Sequence, residues 1–318
     1  MRQRTYFVAG ATGRQGGALA RQLLARGQRV RAYTRSPGGP VARQLERLGA
    51  EICPGGIEEP VPLERAMRGC DGAFAMATFT EGGVDAEIRC GRALIDAARR
   101  ARVPHLVYSS MAGADRETGV PHIDSKGEVE RYLGRAGVPS TIVAPVFFME
   151  NWLAILPGAV VRGALGYPLP PGRVLQMVAV EDLAAFVRTV LERPAEFVHR
   201  RLEIAGEELP MTGVAAALGA AVRRRLDYLP IPLHAVWARS EQLGRLCAWL
   251  DSAGPRVDVA RLRARHREVA WTSLELWARR QDWSGLAPPA PAASASPRRV
   301  VPAAAAEGAS GGWMLRPS

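Results

Sequence analysis

The sequence predicts an α/β fold: a doubly wound parallel sheet with helices on both faces, followed by a smaller, mainly helical C-terminal lobe. Two observations predict it. Short apolar runs alternate with helical runs from Tyr6 to Ala144, the signature of repeated strand–helix units. The first of these runs also leads through evenly spaced glycines straight into a helical pattern. At 318 residues and 47% hydrophobic, the chain can bury one large core, or one core with an appended lobe.

Tyr6–Ala9 reads as the first, buried strand. Gly10, Gly13 and Gly16 follow at a spacing of three, and Leu19, Ala20, Leu23 and Leu24 then recur with helical periodicity. A strand that turns into a helix N-terminus leaves main-chain N–H groups without partners. With the helix dipole behind them they form a site for a pyrophosphate. Glycine suits such a turn because a side chain would block the ligand or clash. Gly10, Thr12, Gly13, Arg14, Gln15 and Gly16 are therefore candidate cofactor contacts. A glycine-rich turn that binds nothing is the alternative, and the flanking strand and helix weigh against it.

Gln28–Thr34 reads as the second strand, ending at Arg35-Ser-Pro-Gly-Gly. NAD-specific folds of this kind place an acid on the adenosine ribose about 20 residues past the glycines. Here Arg35 stands instead, with Arg31 and Arg14 near it in sequence. A carboxylate repels a 2′-phosphate, whereas a guanidinium binds it bidentately. The expectation is NADP(H) rather than NAD(H), against the alternative of an ordinary surface arginine.

Ala50–Cys53 is the third strand, Pro62–Met67 opens a helix, and Gly72–Ala77 is the fourth strand. A long helix from about Gly83 to Ala101 precedes a fifth strand, Val103–Ser109. Ligands of such sheets lie at the carboxyl ends of the strands. That rule gathers the glycine turn, Arg35, Thr78 and Ser109 around one crevice. His122 and Lys126 stand four apart, on one face of a helix. Lys126 is the one lysine among 42 basic residues, and a compact ammonium offers what a planar guanidinium cannot. Ser140–Ala144 is the sixth strand, running into Pro145-Val-Phe-Phe148. This aromatic cluster either walls a nicotinamide pocket or is core, the commoner meaning.

These segments resemble the NmrA-like family of atypical short-chain dehydrogenases/reductases. The matching residues are Gly10–Gly17, Val107–Ser110, His122–Lys126, Pro145–Asn151, Gln176–Asp182 and Arg201–Leu209, in the family's order over roughly residues 4–284. The resemblance implies a Rossmann domain that binds NADP(H), with Lys126 contacting the nicotinamide ribose. Pro145 and Phe148 fall in its cofactor-facing segment. It also implies either a reductase of quinones or dyes, or a sensor whose occupancy regulates a protein partner. Two departures stand out. Typical short-chain dehydrogenases carry an acidic tyrosine four residues before the lysine, where His122 stands here. The acid expected beside the adenine is replaced by Gly56, with Glu58 and Glu59 shifted behind it.

Beyond Asn151, Trp152–Val161 reads as a helix broken at Pro157 into a loop. Helices follow at Glu181–Leu191, Val214–Val222, Leu233–Leu250 and Trp271–Arg280, with a strand near Leu202–Ile204. The expected organisation is a dinucleotide domain over 1–152, core strands also coming from 173–206. An interleaved substrate or partner lobe covers 153–285. Residues 286–318 are expected to be a disordered tail, since 23 of the 32 residues from Ala287 onward are Ala, Pro, Ser or Gly.

The net charge of +11 concentrates in residues 1–50, around the glycine turn, where a polyanionic cofactor would sit. No zinc-finger spacing, RNA-binding aromatic signature or clear recognition helix accompanies it, so sequence-specific nucleic acid is not expected. Nor is a metal, a membrane span or a signal peptide. The four scattered cysteines suit free thiols in the cytoplasm. The expected chemistry is hydride transfer from NADPH to a quinone-like or other conjugated acceptor, which needs no strong dedicated acid. In that reading Lys126 fixes the ribose and adds positive charge near the forming oxyanion. His122, with an ordinary pKa of about 6.5, either donates a proton or merely opens its helix. The alternative is a catalytically weak NADPH/NADP+ sensor acting on a protein partner.

Overall fold

A computed structural model of the chain describes residues 2–80 and 82–283; the expected C-terminal tail lies outside them. Seven strands form the central sheet: β1 (Thr5–Ala9), β2 (Arg29–Thr34), β3 (Glu51–Pro54), β4 (Gly72–Met76), β5 (Leu106–Ser109), β6 (Ser140–Pro145) and β10 (Arg201–Ile204). Their order is β10-β6-β5-β4-β1-β2-β3, and every pairing is parallel. This is the doubly wound Rossmann arrangement, with its reversal of strand order between β1 and β4. The connecting helices are α1 (Arg14–Ala25), α2 (Pro40–Arg47), α3 (Pro60–Met67), α4 (Gly83–Arg100) and α5 (Pro121–Arg135).

Side-chain alternation along the strands feeds two apolar layers. From β1, Tyr6 and Val8 enter the layer under α1, while Phe7 and Ala9 enter the layer under α3, α4 and α5. The second half of the chain adds β7 (Phe147–Phe148), α6 (Trp152–Arg162), β8 (Ala164–Tyr167), β9 (Val174–Val178), α7 (Val180–Glu192) and α8 (Pro194–Phe197). After β10 come β11 (Glu207–Pro210), α9 (Met211–Ala221), β12 (Asp227–Pro230), α10 (Leu233–Trp237), α11 (Glu241–Ala253), α12 (Val259–Arg265) and α13 (Leu274–Arg279). Helix α7 packs beside α1, tied to it by the Arg21–Glu181 pair at 2.9 Å.

Two expectations are corrected here. Pro157 does not end its helix: α6 runs through it, because Trp152, Ile155, Leu156, Ala159 and Val160 all bury on one side. That burial outweighs the hydrogen bond that proline removes. The expected single helix over 233–250 is two, α10 and α11. Ser240 caps the second by accepting the Leu243 N–H. The C-terminal half also contains strands beside its helices, in a β11-β9-β7 sheet and a β12-β8 pair. These strands are two to five residues long, so each exists through partners distant in sequence rather than by its own pattern.

Candidate functional site

The glycine turn assigns its three glycines three different tasks. Gly10 takes a φ of +59°, the left-handed region that glycine enters without strain. Gly13 has an ordinary φ of −88° and donates its N–H to the Gly10 carbonyl at 2.9 Å. It lines the cavity, so its bareness serves close approach rather than backbone geometry. Gly16 is a packing residue: a Cβ there would lie 2.4 Å from the Gly10 carbonyl oxygen and 2.7 Å from that of Ala9. Helix α1 begins without a side-chain cap, so the first-turn N–H groups have no acceptor within the helix.

In front of this turn lies a cavity of about 460 Å³, reaching across the ends of β1, β2, β3 and β4. Gly10, Thr12, Gly13, Arg35 and Thr78 line it. Thr12 and Thr34 hydroxyls meet at 3.1 Å, and Thr34 Oγ1 also accepts the Ser36 N–H at 3.1 Å. This bracket turns the chain after β2 so that Arg35 and Ser36 border the cavity. Arg31 is elsewhere: its guanidinium reaches Glu51 at 3.1 Å and the carbonyls of Ala66 and Arg68. On the adenine side of the expected ligand, Gly55, Gly56, Glu58 and Glu59 form the wall. Glu59 accepts the Gly56 N–H at 2.8 Å, and Tyr33 donates its hydroxyl to the Gly56 carbonyl at 2.9 Å. The shifted acid thus props the loop from within.

Behind Thr78 the cleft is built from buried side chains. Lys126 Nζ donates to the Ala77 carbonyl at 2.9 Å and pairs with Glu87 Oε1 at 2.9 Å. Ser125 donates its hydroxyl to Glu87 Oε2 at 2.6 Å. Ser109 donates to Gln15 Oε1 at 2.8 Å, joining the end of β5 to the first turn of α1. His122 is 4% exposed; its ring packs against Phe79, centroids 4.9 Å apart, and its Nδ1 lies 3.3 Å from the Gln242 amide. Burial first, and Lys126 second, lower its pKa to about 4. The imidazole is therefore neutral at pH 7.

Of the remaining expected contacts, Pro145 ends β6 and accepts the Ala112 N–H at 3.0 Å through its carbonyl. Phe148 packs against the core under α1, while Phe147 packs tilted against Trp152, ring centroids 5.3 Å apart. Arg14, Gln15, Gly16, Ser109, Lys126, His122, Pro145 and Phe148 do not border the 460 Å³ cavity. Phe147 instead lines a second hollow of about 600 Å³ between β9, β11 and the 254–258 segment, with Leu175, Leu250 and Arg173. Sequence reasoning missed Tyr33, Ala77, Glu87, Cys90 and Gln242. Ala77 was accessible as the last residue of a predicted strand; Glu87 and Gln242 carry no sequence signal.

Residues 2–268 match the NmrA-like family. An NAD(P)H azoreductase from Xenophilus azovorans is 30% identical over 228 residues, covering 72% of this chain and 77% of that protein. Among solved structures, NmrA, described as a negative transcriptional regulator and solved in complex with NADP, superposes with a TM-score of 0.73. It is 25% identical, over 88% of this chain and 95% of that one. An NADPH-dependent quinone oxidoreductase from Escherichia coli, complexed with NADPH, shares the fold at a TM-score of 0.74 and 21% identity, over 86% and 98% of the two chains.

Proposed function

Because the chain belongs to the NmrA-like family, we propose that it binds NADPH and serves as a reductase of a quinone-like or other conjugated acceptor. The observation that carries this reading is the cavity itself. Along one wall it joins a left-handed Gly10, a bare Gly13 at the N-cap of helix α1, and Arg35. Such a wall suits a diphosphate at the helix end and a 2′-phosphate at the guanidinium. The dinucleotide supplies the hydride when bound; the chain's part is to hold, orient and exclude water.

In this reading Arg14 and Gln15 offer first-turn N–H groups, and Ser109 fixes the Gln15 side chain. Thr78 and Ala77 carry the wall toward the nicotinamide end, with Pro145 and Phe148 beyond. Lys126 holds the ribose and presents positive charge where an acceptor oxygen gains electrons. His122 contributes a neutral ring. That arrangement suits acceptors whose reduced oxygen takes its proton from water. Residues 1–152 carry the dinucleotide, and the described residues from 153 to 283 close over the acceptor end, α11 lying against His122 through Gln242. Relatives that reduce azo and quinone compounds, by their names, support the choice of acceptor class.

A sensor is the second reading, favoured by the neutral, buried His122, which leaves no ready proton donor beside Lys126. Calorimetry with NADPH and NADP+, alongside NADPH oxidation against quinones, azo dyes and aldehydes, tests both. Turnover with a quinone or dye supports the reductase. Tight, redox-selective binding without turnover supports the sensor, and no binding of either nucleotide sinks both.

A further inference from the structure

Glu87 is a carboxylate with 0% exposure, on a helix whose other acids face outward or pair at the surface. Its burial follows from how α4 and α5 meet. A Cβ on Gly91 would lie 2.7 Å from both Val129 methyls, so the bare glycine lets the helices close. Glu87 lies one turn before Gly91, and Ser125 one turn before Val129. The same ridge therefore presses Glu87 onto Ser125 and Lys126. Both carboxylate oxygens are engaged, one by Ser125 at 2.6 Å and one by the ammonium at 2.9 Å. On its other side the ammonium binds the Ala77 carbonyl, and Ala77 lines the cavity. An ammonium carries three N–H donors; the Ala77 carbonyl at the end of β4 takes one, while Glu87 Oε1 holds the charge by ion-pair contact at 2.9 Å without itself receiving a hydrogen bond. The Lys126 side chain is 13% exposed, so its remaining donors are confined near the cavity wall.

We propose that Glu87 is the positioning residue for Lys126, locking its ammonium against Ala77 so that one N–H is reserved for a hydroxyl of the bound dinucleotide. A long flexible side chain loses much rotamer freedom when it must meet a ligand, and Glu87 imposes that loss before binding. A compact ammonium can turn its donors toward both a carboxylate and a carbonyl, which the fixed plane of a guanidinium does not allow as freely. A buried carboxylate without a cation is strongly disfavoured, so each member of the pair holds the other. This inference rests on NADPH being the ligand of the cleft.

The single lysine makes the test direct, because lysine-selective 13C/15N labelling gives one side-chain signal. In the wild-type chain NADPH should shift that signal. In Glu87→Gln, NADPH affinity by calorimetry should fall about tenfold or more, and the lysine signal should cease to respond at saturating NADPH. Glu87→Asp, which keeps the charge, should recover the response. Adding Glu87→Gln to Lys126→Met should change affinity less than twofold beyond Lys126→Met alone, since Glu87 acts through the lysine. If Glu87→Gln does not fold, the wild-type signal and Glu87→Asp decide. NADPH binding with an unmoved lysine signal, or independent multiplying effects of the two substitutions, overturns the positioning role alone. Failure of the wild-type chain to bind NADPH overturns the functional reading, and this inference with it.

Discussion

The two ends of the cleft are made of different material. At the glycine turn the wall is main chain: Gly10, Gly13 and the open end of α1, contiguous in sequence. Behind the cavity, around Lys126, lie buried side chains brought from afar that do not border it. Glu87 meets Ser125 across 38 residues, and His122 meets Gln242 across 120. In the proposed reading, the difference separates recognition from chemistry. A main-chain anion site tolerates change in neighbouring side chains but not a Cβ in the wrong place. A side-chain cluster tolerates backbone variety but not loss of one partner.

The sharpest way to break the main-chain end is Gly16→Ala. With two backbone oxygens inside 3 Å of the new methyl, α1 must shift, and NADPH affinity by calorimetry should drop by about 100-fold. At the other end, Lys126→Met should leave Glu87 buried without a cation. Chemical denaturation should then show a loss of about 3–5 kcal/mol, together with weakened NADPH binding. Undiminished stability would return that pair to the surface-charge class. Arg35→Asp sits between the two ends in kind, an exposed side chain on a main-chain site. It should weaken NADPH at least about tenfold more than NADH, and equal weakening would remove Arg35 from the phosphate. Ser109→Ala probes the seam between the ends. Losing its bond to Gln15 should cost about 1 kcal/mol, read as a few-fold rise in the NADPH dissociation constant.

The buried end should also show itself in pH dependence. The pKa of His122 is lowered to about 4, as is that of His105 by burial and by His199. Between that value and the ordinary 6.5 the unfolded chain binds more protons than the folded one. Stability is therefore complete above pH 6.5 and falls as pH drops through this window. Urea midpoints at pH 7.5 and pH 5 measure it, and His122→Gln should flatten the decline. A midpoint that rises on acidification would contradict the neutral, buried imidazole.

Local pattern alone specified the strand–helix alternation, the glycine turn and the arginine after the second strand, because each is written in adjacent residues. A run of apolar residues, a missing Cβ and a guanidinium at a strand end have the same meaning wherever the chain goes next. Arg35 was legible for that reason. Arg31, four residues earlier, is held instead by its cross-strand neighbour Glu51 and by the carbonyls of Ala66 and Arg68.

The rest was decided in three dimensions. Pro157 stays helical because a buried stripe outweighs one lost hydrogen bond. Strands β8, β9, β11 and β12 exist because distant segments pair. Glu87, one acid on a long helix, became the partner of the chain's lone lysine only when Gly91 let α4 close on α5. A carboxylate reads the same in sequence whether water or a buried ammonium faces it, and burial, the quantity that separates those cases, is a property of packing.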